Sequence, residues 1–83
     1  MLKLSTKGRY GLRAMIELAH AFDTEPLQMS EIARRQNFSR KYLHSLLTSL
    51  KEAGLVKSSR GAHGGYMLAK KPSEIRVADV FGA

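Results

Sequence analysis

A mainly α chain closed by a small β ribbon is the fold class the sequence predicts, and three observations carry it. Apolar residues recur at three- and four-residue steps over residues 6–22 and 40–53, the repeat of one helical face. A shorter helical segment over residues 30–36 is joined to the second of these by a tight turn of Asn37, Phe38 and Ser39. Two short runs then flank the glycine-rich Gly61-Ala62-His63-Gly64-Gly65, the pattern of a β-hairpin. The chain has 83 residues, one small domain that buries about 60 to 65% of its unfolded surface.

The first helix starts at Thr6, a candidate N-cap, and runs to Phe22. Tyr10, Ala14, Leu18 and Ala21 or Phe22 make its apolar stripe, broadened by Leu12, Met15, Ile16 and Ala19. Arg9, Arg13, Glu17 and His20 form the wet face, with Arg13 and Glu17 at pairing distance four residues apart. Asp23-Thr24-Glu25-Pro26 ends the element, because proline disfavours helix in the residue before it. Leu27-Gln28-Met29 reads as extended, and Ser30 or its neighbour opens the second helix, with Ile32 and Ala33 inward. Asn37 tolerates a left-handed backbone, Phe38 plugs the turn, and Ser39 reads as the N-cap of the third helix. Leu43, Leu46, Leu47 and Leu50 lie at i, i+3, i+4 and i+7, one narrow core-facing stripe, and Gly54 closes the helix. Two helices across so tight a turn form a helix-turn-helix pattern.

Residues 55–60 read as a strand, 61–65 as a flexible tip and 66–69 as the return strand. A basic ribbon directly after a third helix is the wing of a winged helix-turn-helix. Lys70-Lys71-Pro72-Ser73 closes it, Glu74-Ile75-Arg76-Val77 reads as extended, and Val77, Val80 and Phe81 begin a new helical stripe. Residues 1–76 therefore form the winged helix-turn-helix domain and 77–83 the start of a C-terminal helix. A stripe that has only just begun makes the chain read as the N-terminal part of a longer protein.

Net charge is +7 from 14 Lys+Arg and 7 Asp+Glu, which points to a polyanionic partner. Its placement is more informative. Residues 40–71 hold Arg40, Lys41, Lys51, Lys57, Arg60, Lys70 and Lys71 against Glu52 alone, a net +6. Residues 1–39 net only +2 and 72–83 net −1. The middle segment is the one expected to face the polyanion, a nucleic acid or an anionic membrane surface by charge alone; with the helix-turn-helix and wing the expected partner is double-stranded DNA. Generic solubilising charge is the competing account of the same excess.

The third helix presents Arg40, Lys41, His44, Ser45 and Thr48 away from its leucine stripe, beside the cap Ser39. Arg40 and His44 can donate to guanine acceptors; Ser45 and Thr48 suit bases or phosphates. Lys57 reads as a phosphate contact. Arg60 sits beside Ser58, Ser59 and Gly61, small residues that let a ribbon approach a groove. Arg60 suits a narrow minor groove and equally a phosphate. His63 at the tip reads as a turn residue or phosphate contact. Ser39, Arg40, Lys41, His44, Ser45, Thr48, Lys57, Ser59, Arg60 and His63 are thus the candidate DNA-binding set.

Other classes find little support. No apolar run approaches the roughly 20 residues of a membrane span, and the N-terminus lacks a signal-peptide core. There is no cysteine, which removes disulfides, thiolate metal sites and cysteine-ligated clusters from these residues and fits a cytoplasmic protein. Three histidines without a paired carboxylate make no metal site, the glycine run lacks the lysine and Ser/Thr of a P-loop, and no nucleophile–base–orienter set stands out. An enzyme is not expected. A winged helix can also serve as a protein-interaction module, the alternative reading.

The residues also resemble a known family. Leu4-Ser5-Thr6-Lys7-Gly8-Arg9-Tyr10-Gly11-Leu12-Arg13-Ala14-Met15 looks like its opening helix. Glu31-Ile32-Ala33-Arg34-Arg35-Gln36-Asn37-Phe38-Ser39 with Tyr42-Leu43 looks like its helix-turn-helix, and Leu50-Lys51-Glu52-Ala53-Gly54-Leu55-Val56 with Ser59-Arg60-Gly61 and Gly64-Gly65-Tyr66-Met67-Leu68-Ala69 like its wing. The family is the IscR/NsrR/CymR-like group of bacterial winged-helix transcription regulators, and the resemblance covers essentially the whole chain. It implies a homodimeric repressor on a palindromic operator, with dimerisation through a helix C-terminal to the wing. It also implies that an iron–sulfur cluster is possible only if a cysteine-bearing C-terminal region exists. The chain departs from the family pattern at Asn37, where Gly is usual, at the wing tip, and at His44, where relatives carry an acid. An acid accepts from cytosine; His44 in its place puts the operators of relatives in doubt as targets.

Overall fold

The computed structural model describes residues 6–60 and 64–83. Helix α1 spans Thr6–His20, α2 Met29–Gln36 and α3 Arg40–Glu52; strands β1 (Val56–Ser59) and β2 (Gly65–Leu68) follow. A 3-10 turn over Pro72–Glu74 and a short helix α4 (Val77–Phe81) complete the order.

The leucine stripe of α3 makes the centre of the core. Leu43, Leu46, Leu47 and Leu50 are all buried, and the fully buried large side chains are Leu18, Ile32, Leu43, Leu47 and Leu50. Burying an aliphatic side chain of this size stabilises by about 1.5–3 kcal/mol, so these five side chains join α1, α2 and α3. Asn37 takes a left-handed backbone at φ 57, and the Phe38 amide bonds back to the Ala33 carbonyl at 3.0 Å. The Ser39 hydroxyl accepts from the Tyr42 amide at 3.2 Å and caps α3 as expected. Gly54, at φ 79, turns the chain out of α3 in a conformation that glycine adopts without a steric penalty.

Several expectations are corrected. Thr6 is already helical rather than the residue before the helix. α1 stops at His20, two residues short of Phe22, because Asp23 enters the left-handed region at φ 68 and the Thr24 amide bonds to the Ala21 carbonyl. The break thus comes before proline acts. Ile16, read as broadening the apolar stripe, is 45% exposed. Met29, read within the extended run, is the neighbour of Ser30 that opens α2; Val77, read both at the end of an extended stretch and at the start of a helical stripe, starts α4 as the second of those readings has it. Glu74 lies in the 3-10 turn, where Pro72 supplies a preset φ and the Glu74 carboxylate accepts from the Lys71 amide at 3.3 Å.

The ribbon is antiparallel, with Val56 opposite Leu68, Lys57 opposite Met67, Ser58 opposite Tyr66 and Ser59 opposite Gly65. Val56 and Leu68 are buried at its base. Leu27 adds a third line of pairing, exchanging two backbone hydrogen bonds with Tyr66 at 2.9 and 2.8 Å. The tip Gly61-Ala62-His63 lies outside the described residues. Val80 of α4 is buried in the same core cluster, against Gly11 of α1.

Candidate nucleic-acid interface

The first and last turns of α3 are held by different devices, and together they aim one polar face outward. The Ser39 cap fixes the start. At the end, the Leu55 amide donates to the Leu50 carbonyl at 3.0 Å, so β1 leaves the helix after one tight turn. Lys51 Nζ then donates to Ser58 Oγ at 2.9 Å, tying the last turn of α3 to the ribbon. The wing is thus bonded directly to the last turn of α3.

Arg40, Lys41, His44, Ser45 and Thr48 are all exposed, opposite the leucines. Among the described residues, no carboxylate comes within 4.0 Å of the charged side-chain nitrogens of Arg40, Lys41, Lys51, Lys57, Arg60, Lys70 or Lys71; the ion pairs found involve Arg34, Arg35 and Arg76. The bases of α2 behave oppositely. Arg34 and Arg35 both hydrogen-bond Glu31, and Arg35 also reaches Glu17 at 3.4 Å. Those bonds, Arg34 first and Arg35 second, hold the Glu31 carboxyl down to about 2. The positive charge of residues 1–39 is thus partly neutralised in place, while that of residues 40–71 faces solvent.

Not every candidate is equally placed. Thr48 Oγ1 donates to the His44 carbonyl at 2.8 Å, so its hydroxyl proton is committed and it offers only acceptor capacity outward. Ser59 and Arg60 are exposed beyond the buried base of β1. Lys57 alternates with Ser58 along the strand. It lines a shallow cavity with Lys70, Lys71, Met67 and Asp23, on the opposite face of the ribbon from the Lys51–Ser58 contact. The structure therefore separates Lys57 from the α3 group. His63 lies outside the described residues.

Two residues escaped the candidate set. Tyr42, in the first turn of α3, is 37% exposed and packs edge-on against Tyr10 with ring centroids 5.6 Å apart. Its place three residues before Ser45 on the helix was the available signal. Arg13 is the other; the expected Arg13–Glu17 pair does not form, because Gln36 stands between them. Arg13 donates to Gln36, and Gln36 Nε2 donates to Glu17 Oε2 at 2.9 Å. Among the described residues, no cluster of three or more His, Asp or Glu could hold a metal ion, and no helix is long and apolar enough to cross a membrane.

A recognition helix capped by serine, braced to a two-stranded wing and unpaired along its basic face defines a winged helix-turn-helix of the DNA-binding regulator class. The comparisons with known proteins agree. The chain belongs to the Rrf2 family, whose model, described as an iron-dependent transcriptional regulator, matches residues 4–83. It is 49% identical over 79 residues to the HTH-type transcriptional regulator CymR of Bacillus subtilis, covering 95% of this chain and 57% of that protein. It is 44% identical over 82 residues to the HTH-type transcriptional regulator IscR of Aliivibrio salmonicida, covering 99% of this chain and 49% of that one. The solved structure of CymR, the global cysteine regulator of B. subtilis, superposes with a TM-score of 0.91 at 51% identity, over 96% of this chain and 62% of that chain. An IscR structure from T. potens gives the same score and identity, over 98% of this chain and 59% of that one. The chain thus spans about half to three fifths of the length of these relatives.

Proposed function

We propose that the chain is the DNA-reading part of a sequence-specific transcription repressor, acting without enzymatic chemistry in the cytoplasm. α3 enters the major groove and the wing the adjacent groove. The observation that carries this is the α3 face itself: Arg40, Lys41 and His44 are exposed with no acidic partner among the described residues, directly opposite buried leucines. Arg40 and His44 read bases, Ser39, Lys41 and Ser45 position the helix on phosphates or bases, Thr48 accepts, and Ser59 and Arg60 approach the neighbouring groove. Lys57 and His63 are assigned to phosphate.

The assembled regulator is a homodimer on a palindromic operator. An apolar groove lined by Leu12, Met15, Ile16, Ile75, Val77 and Val80 supports this, with Ile16 45% and Val77 57% exposed. Apolar side chains gathered at one exposed place mark a candidate interaction surface. Residues 77–83 serve as the start of the dimerisation helix. An iron–sulfur cluster belongs to this reading only where a cysteine-bearing region follows the wing.

Titration of random and palindromic duplexes across salt, read by fluorescence anisotropy, tests the reading. Neutralising roughly six phosphates costs on the order of a thousandfold in affinity between 50 and 200 mM salt. A salt-independent signal would sink the assignment and favour a protein-docking module instead. Light scattering of this chain beside a longer form tests the dimer: the longer form is expected to be dimeric and this chain to associate weakly.

A further inference from the structure

Arg13 lies on α1, not on the candidate reading helix α3. Its guanidinium nevertheless holds the turn that launches α3. Nε donates to Gln36 Oε1 at 3.0 Å and Nη2 to the Gln36 carbonyl oxygen at 2.9 Å. That carbonyl belongs to the last residue of α2, where helical carbonyls lack an intrahelical partner. The guanidinium carbon also sits 5.1 Å from the Tyr10 ring centroid and 5.0 Å from that of Phe38, within cation–π range of both. Tyr10 in turn meets the rings of Phe38 and Tyr42 edge-on. One side chain thus grips the end of α2, the plug of the turn and, through Tyr10, the first turn of α3.

We infer that Arg13 is a positioning residue for sequence reading. It fixes the angle at which the first turn of α3, carrying Arg40, Lys41 and His44, leaves the turn at Asn37. The inference rests on the assignment of α3 as the reading helix. Base readout depends on that angle, because a bidentate contact tolerates little displacement. Phosphate attraction does not, because it falls off over about a Debye length. Leu18, Ile32, Leu43 and Leu47 are buried where the same three helices meet, so the fold is expected to survive the loss of Arg13.

The test selects preferred duplexes from a random pool with the wild-type chain. It then measures wild type, Arg13→Lys and Arg13→Met on the selected and a scrambled duplex, with thermal melts of each. Both variants are expected to lose about tenfold or more of the preference for the selected duplex. Binding to scrambled DNA should stay within about threefold for Arg13→Lys, and the melts should remain close to wild type. Lysine keeps the charge but cannot form the forked, stacked arrangement, so full rescue by Arg13→Lys would overturn the inference. So would an equal loss on both duplexes, or an unchanged preference in Arg13→Met. If the wild-type chain selects no sequence, the reading-helix assignment itself fails, and the role of Arg13 with it.

Discussion

A Cβ atom on Gly65 would stand 2.6 Å from the Leu27 carbonyl oxygen, and that oxygen is the acceptor for the Tyr66 amide at 2.8 Å. The start of β2, at the tip end of the ribbon, can therefore lie against the α1–α2 connection only while residue 65 has no side chain. Gly65→Ala is expected to push the two backbones apart and to destabilise the domain by about 1–3 kcal/mol, the usual cost of forced overpacking. Urea unfolding checks this; an unchanged midpoint would mean that the Leu27 bridge contributes nothing.

Arg40→Ala and His44→Ala should each change which base is preferred at one operator position, by about 1–3 kcal/mol. Competition binding against a set of singly substituted duplexes measures it. If His44→Ala leaves the preference profile as it was, His44 is not a reader.

Lys57 stands with Lys70 and Lys71 on its own face of the ribbon, away from α3. As a phosphate contact it should act on all sequences alike: Lys57→Ala lowers the slope of log affinity against log salt by about one and leaves sequence ranking intact. The slope, taken from anisotropy at four or five salt concentrations, decides the matter. No change in slope would place that ribbon face away from the DNA.

Hydrogen bonds from Arg34 and then Arg35 lower the Glu31 carboxyl from 4.5 to about 2 in the folded chain. A depressed folded-state pKa contributes stability that is fully present above about 4.5 and is lost as pH falls towards 2. The carboxylate is solvated, so the effect is small in size. Glu31→Gln should flatten this part of the stability curve, seen as urea midpoints that vary less between pH 5 and pH 2 than in wild type. Superimposable curves would show that these bonds do not bear on folding.

Much of the fold was legible because it is local. The Leu43, Leu46, Leu47, Leu50 repeat names its own buried face, Ser39 needs only the amide three residues on, and Asn37 and Gly54 announce positive φ by residue type. The misplaced bounds are local too, but they turn on competition: Asp23 went left-handed before Pro26 could act. Ile16 sits in register with the stripe and still faces water, because its burial depends on what covers that side of α1. Of the candidate interface, α3 was readable as a helix face, whereas the ribbon alternation that sends Lys57 to another surface follows from how β1 docks.

By itself, then, the sequence determined the three helices, the turn, the wing and the surplus of charge between residues 40 and 71. These follow from period, capping and residue chemistry over a few neighbouring positions. Only the tertiary structure decided which charges pair and which stay unpaired. Arg13 and Glu17 are spaced to bond each other, yet Gln36, 23 residues on from Arg13, takes both. Arg34 and Arg35 are held by Glu31, whereas Arg40 has no acidic partner within reach among the described residues. The physical reason is that an ion pair or hydrogen bond is fixed by distance in space, which packing sets, while a helical stripe is fixed by distance along the chain.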